Sequence, residues 1–122
     1  MTVKQGAEIS SLHPSLTKIL KIADTLWGLV FPEDANGMTV TSGHEGFSGD
    51  GVHGNKSKHY TTNSETAQGE AVDLRLNDVK NAKAHKFAFI LEVLVEDVYN
   101  IPINIFIEKE LTQSAHFHIE LV

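Results

Sequence analysis

His116–Leu121 reads HFHIEL. Phe117, Ile119 and Leu121 alternate with His116, His118 and Glu120, and a period of two sends successive side chains to opposite faces of a strand. One face of this segment is apolar and the other carries two imidazoles and a carboxylate. Such a strand lies with its apolar side on a core and its polar side away from it.

The neighbouring segments repeat the pattern. In INIFIE (Ile103–Glu108), Ile103, Ile105 and Ile107 face one way and Asn104, Phe106 and Glu108 the other. GEAVDLRL (Gly69–Leu76) puts Val72 and Leu74 on one face and Ala71, Asp73 and Arg75 on the other. MTVTS (Met38–Ser42) is β-branched and alternating, so it reads as a short strand.

Two segments follow the helical period instead. After His13-Pro14, with Ser11 as a candidate cap, Leu16, Ile19, Leu20, Ala23, Leu26 and Trp27 form one apolar stripe. FPEDANG ends that helix with a proline and an Asn-Gly turn signal. A second helix is predicted over Asp78–Glu96, with Phe87, Ile90, Leu91 and Leu94 buried. Together the segments predict one α+β domain over residues 1–122: a small, mostly antiparallel sheet with helices on its apolar face. The other face then collects Asp73, Glu108, His116, His118 and Glu120 as a metal site.

A formal net charge of −6 without a Lys/Arg cluster argues against a nucleic-acid partner. The most apolar run, FAFILEVLV, is interrupted by Glu92 and too short to span a bilayer, so no membrane partner is expected. MTVKQGAEIS lacks the apolar core of a secretory signal, which leads to the expectation of a chain cytoplasmic at synthesis, with later release by a lysis route left open. The expected oligomeric state is a monomer. With no cysteine, disulfides and thiolate chemistry are excluded, and a metal has to be held by His, Asp and Glu.

His59, Asp73 and His118 are the candidate ligands. Two imidazoles and a carboxylate suit catalytic zinc, with a position left for water. Asp is depleted in strands, so Asp73 between Val72 and Leu74 needs a specific partner. Arg75 on the same face is the alternative partner, in a plain salt bridge. The loop with Gly43, Gly46, Gly49, Gly51 and Gly54 matches neither a phosphate-binding loop nor an EF-hand. Flexibility and a second, calcium-type site both remain open readings of it.

VTSGHEG, GVHGNKSKHY, GEAVDLR, FIE and HFHIEL, with LHPSL before the first helix, together resemble a zinc peptidase family. It is the family of D-alanyl-D-alanine carboxypeptidases and L-alanyl-D-glutamate endopeptidases, nearest its small phage-type members and the related signalling domain of Hedgehog. The resemblance implies a Hedgehog-like fold, zinc bound by His59, Asp73 and His118, and a peptidoglycan stem peptide as substrate. It implies Glu108 as general base, with Glu110 second, and His116 as the companion that steadies the oxyanion. Ser57 and Tyr60 match the motif and are candidate substrate-binding positions. His44 stands where bacterial members often carry an arginine for the substrate carboxylate.

The chain departs from the family pattern in that arginine, in residues 61–68 inserted between His59 and Asp73, and in Ala115 at the usual place of the acidic base. Such an insertion costs little, because loop-closure entropy grows only logarithmically with length. A metallopeptidase is the expected function. The alternative is a non-catalytic, zinc-stabilised binding module on the same fold.

Overall fold

A computed structural model describes residues 1–43, 69–76 and 82–122. The chain is α+β. Its elements are β1 (Thr2–Val3), α1 (Pro14–Val30), β2 (Thr39–Ser42), β3 (Ala71–Arg75), α2 (Ala84–Val93), β4 (Ile103–Glu108) and β5 (His116–Leu121). The strands form one mixed sheet in the order β1-β2-β3-β5-β4. β1 pairs with β2 in parallel, and the other neighbours are antiparallel.

The sheet's apolar face follows from the alternation. Leu74 pairs with Val40 on one side and Phe117 on the other, and Ile119 pairs with Val72 and Ile105. Onto these rows pack Leu16, Ile19, Leu20, Ala23, Leu26 and Trp27 of α1, and Ala84, Phe87 and Leu91 of α2, in one hydrophobic cluster. Its centre is aromatic. Trp27 lies 5.0 Å from Phe87 and 6.0 Å from Phe117, both edge-on, and Phe87 lies 5.0 Å from Phe117. Phe117 sits between His116 and His118 in sequence, so this aromatic knot anchors the strand that carries both imidazoles.

α1 begins at the expected proline, but its cap is His13 rather than Ser11: the Ser15 amide donates to His13 Nδ1 at 3.1 Å. The Ser11 carbonyl instead accepts from the Gly69 amide, and the Gly69 carbonyl from the His13 amide, each at 2.9 Å. This bridge fastens the start of α1 to the entry of β3. Of the helix predicted over Asp78–Glu96, residues 78–81 lie outside the described residues, and a turn at 82–83 precedes α2. It starts at Ala84, after a turn held by the Lys83 ammonium, which donates to the Val30 carbonyl at 3.2 Å. It ends in a π-helical turn, Leu94–Val98, that brings Val95 into the core and leaves Ile90 and Leu94 half-buried.

β1 is the one strand without a sequence signal; its residues are exposed and its pairing rests on backbone hydrogen bonds to Met38 and Val40. Gly43, at the end of β2, is required by close approach: a Cβ there would lie 2.0 Å from the Glu8 carbonyl oxygen. Among the described residues no helix is long and apolar enough to cross a membrane.

Candidate metal centre

Strand register builds the site. Asp73 pairs directly with His118, and His118 with Phe106, across β3, β5 and β4. In the next row Arg75 pairs with His116, and His116 with Glu108. Because alternation turns all six side chains to the polar face, two carboxylates and two imidazoles meet there.

The polar face is not open at its centre. Asp73 is 4% exposed and His118 9% exposed, and buried charges at that depth need partners. His118 Nδ1 lies 2.9 Å from Asp73 Oδ1, and its Nε2 lies 2.9 Å from Glu120 Oε1. Carboxylates only accept hydrogen bonds, so a metal-free His118 that keeps both contacts donates from both nitrogens, as imidazolium. Burial by itself pushes this imidazole down. The hydrogen bond and charge of Asp73, the hydrogen bond of Glu120 and the charge of Glu108 outweigh burial and hold it above its ordinary value.

His116 is oriented differently. Its Nδ1 donates to the Ser114 carbonyl at 2.9 Å, which turns Nε2 toward the acids, 3.5 Å from Glu108 Oε1 and 3.9 Å from Asp73 Oδ2. Glu108 Oε1 is also 3.5 Å from His118 Nδ1. In a neutral His116 that Nε2 is an acceptor facing acceptors, an arrangement that a cation relieves.

Asp73, Glu108 and His116 each offer a donor atom, all within 4.8 Å of one another, and so form a group able to hold a metal ion. Donors on a tetrahedral ion, bound at about 2.0–2.1 Å, stand roughly 3.3 Å apart. The 2.9 to 3.9 Å separations among Asp73, Glu108, His116 and His118 straddle that value. Nitrogen and oxygen donors from His and carboxylate suit zinc. Each imidazole also keeps an outer partner, Ser114 or Glu120, of the kind that orients metal-binding histidines.

The structure thus brings Asp73, Glu108, His116 and His118 together. Glu110 lies apart, at the β4–β5 turn, with its Oε1 2.7 Å from His85 Nε2 of α2. Among the described residues no ion pair joins Arg75 to Asp73, so the plain salt bridge is not formed. His44, Ser57, His59, Tyr60 and the glycine-rich loop beyond Gly43, with its calcium-type reading, fall in 44–68, outside the described residues. Glu120 has a larger part than its residue type alone suggested. Its place two residues beyond His118 was the signal, since that spacing puts both on one face. Phe106, whose ring stacks on His118 at 6.3 Å and 24°, had the same signal through its own strand.

No protein family, curated protein or solved structure matches the chain.

Proposed function

We propose that the chain is a zinc metallopeptidase that hydrolyses peptidoglycan stem peptides, at a D-alanyl-D-alanine-type or an L-alanyl-D-glutamate-type bond. The observation that carries this reading is the meeting of Asp73, His118, His116 and Glu108 donor atoms on one face of the sheet. Asp73 and His118, the two buried members, would hold the ion, and the family resemblance adds His59 as the third ligand. A bound zinc would supply Lewis acidity there, polarising a peptide carbonyl and lowering the pKa of a water to about 7.

The remaining roles follow from exposure and hydrogen bonding. The Glu108 side chain is half-exposed, so its carboxylate meets both water and substrate. It takes the proton of the attacking water and returns it to the leaving amine, as a general base and then acid. His116, held at Nδ1 by the Ser114 carbonyl, directs Nε2 into the same space. In its protonated form it donates from that nitrogen to the developing oxyanion. Phe106 and Glu120 keep the His118 ring in place.

The test is release of free amines from purified peptidoglycan and from a D-Ala-D-Ala stem peptide, with chelator and with zinc restored. Turnover that chelation removes and zinc restores supports the peptidase. Zinc-dependent thermal stabilisation without turnover on any stem peptide would instead establish a zinc-stabilised binding module.

A further inference from the structure

β4 is an edge of the sheet, and one stretch of its outer side is open. The Val122 amide donates to the Pro102 carbonyl at 3.3 Å, which extends the β4–β5 register by one position. Backbone groups alternate sides along a strand. Asn104, Phe106 and Glu108 therefore also bond to β5, and Ile103, Ile105 and Ile107 turn their groups outward. On that outer side the Ile103 amide donates to Glu96 Oε1 at 3.3 Å. Among the described residues the N–H and C=O groups of Ile105 and Ile107 meet no such partner.

An edge in this state templates another strand, and natural sheets blunt their edges with lysine, proline or a bulge. Ile103–Ile107 carries none of these and keeps a regular register against β5. Apolar side chains flank it on both faces of the sheet. Phe106 is 51% exposed on the polar face. On the other face α2 runs alongside β4, tied through His85 to Glu110 and, beyond its end, through Glu96 to Ile103. Phe89, one turn after His85 on the same side of the helix, is 70% exposed.

Register identifies the occupant. A two-fold axis through Phe106 sets Ile105 of each copy opposite Ile107 of the other. Residues so paired exchange both backbone bonds, which uses every open group and none already taken. An axis at Ile105 would need the Ile103 amide back from Glu96, and an axis at Ile107 would call on Lys109, whose φ of 53° breaks the strand. In the Phe106 register the two Phe106 rings form a cross-strand pair, and Asn104 of one copy faces Glu108 of the other. Lys109, which has no ion-pair partner among the described residues, stands level with the other copy's Ile103, where Glu96 lies. Backbone, apolar surface and charge are thus all self-complementary, as a two-fold interface requires.

We propose that the chain pairs with a second copy of itself through Ile105–Ile107, joining two sheets into one, in place of the monomer expected from the sequence. The two candidate metal centres then open on the same face, three strand spacings or roughly 14–15 Å apart. The pairing does not depend on the peptidase reading.

The test is sedimentation equilibrium of the full chain with zinc present, between about 5 and 500 µM, a range suited to a small interface, beside amide hydrogen exchange. The mass should rise with concentration from one copy toward two, and the Ile105 and Ile107 amides should exchange more slowly as it does. Ile107→Pro deletes an outward donor and spares the ladder to β5, so it should weaken the dimer at least about tenfold. Lys109→Glu should weaken it about threefold or more, and adding Glu96→Lys should recover part of that loss. A single-copy mass at the highest concentration, or a dimer whose Ile105 and Ile107 amides exchange as in the monomer, overturns the proposal. So does parent-like dimerisation of Ile107→Pro or, in a chain whose backbone is untouched, of Lys109→Glu.

Discussion

Asp73 and His118 face each other directly across the β3–β5 ladder, with Oδ1 and Nδ1 2.9 Å apart and both residues buried. A pair this deep either shares a proton or shares a cation. Asp73→Asn keeps the volume and removes the charge, so it should abolish zinc binding. With free zinc a hundredfold above its Kd, the parent should gain about 2.7 kcal/mol of stability, seen as a melting point several degrees higher. The variant should gain less than one degree. Equal gains in thermal melts of the two chains would take Asp73 out of the metal centre.

The same pair sets a pH dependence in the metal-free protein. The His118 imidazole is held above the 6.5 of an unperturbed histidine, so the folded state binds its proton more tightly than the unfolded chain does. The stability this supplies is fully present below about pH 6.5 and fades as pH rises through the folded-state value. The His118 Cε1–H chemical shift should titrate with a midpoint above 6.5 and lose that titration once zinc displaces the proton. A midpoint at or below 6.5 contradicts the partnership with Asp73 and Glu120.

Glu108 lies 3.5 Å from a nitrogen of each imidazole, yet its side chain is half-exposed. As the proton acceptor of the proposed peptidase, it should leave metal content intact when changed to Gln, while hydrolysis of stem peptides falls by about 10²–10⁴-fold. Metal analysis beside the rate measurement decides the matter. Loss of zinc together with activity would make Glu108 a ligand instead.

Phe117 is fully buried between the strand positions of His116 and His118 and lies against Trp27 and Phe87. Phe117→Ala should cost about 3–5 kcal/mol in urea unfolding, the range for emptying an aromatic core position. It should also weaken zinc binding, because β5 loses the anchor that fixes both imidazoles. Parent-like affinity in the folded variant would show the site to be independent of the core beneath it.

Gly43→Ala should destabilise by about 1–3 kcal/mol, the usual cost of overpacking, since its Cβ would meet the backbone oxygen of Glu8 at 2.0 Å. The cost belongs to contact rather than to dihedral strain. Removing the Glu8 side chain should therefore not rescue the variant, and rescue in a chemical-denaturation double mutant would argue otherwise.

Much of this molecule is written locally. The alternation of His116–Leu121 and Ile103–Glu108 matches the observed strands end to end, and α1 carries the expected buried stripe. Local pattern failed where structure depends on remote backbone. Thr2–Val3 holds its place through hydrogen bonds to Met38 and Val40, which no periodicity within MTVKQ announces. Among the described residues α2 starts at Ala84, where Lys83 ties it to the end of α1, and its close widens into a π turn, neither of which its own periodicity announces. Within the site, Asp73 and the H-x-H pair were legible by residue type and spacing. The separation of Glu108 from Glu110 was not, since both are acids at the end of one strand, and only the turn after β4 sends Glu110 toward His85.

Residue order alone dictated which faces of which strands are polar, and the lack of cysteine dictated that any metal ligand be imidazole or carboxylate. Strand pairing then chose the partners: Asp73 opposite His118 and Glu108 opposite His116. The physical reason is that a period of two assigns a side chain to a face but says nothing of its neighbour across the ladder. That neighbour is set by a register summed over the whole sheet and the core packed beneath it.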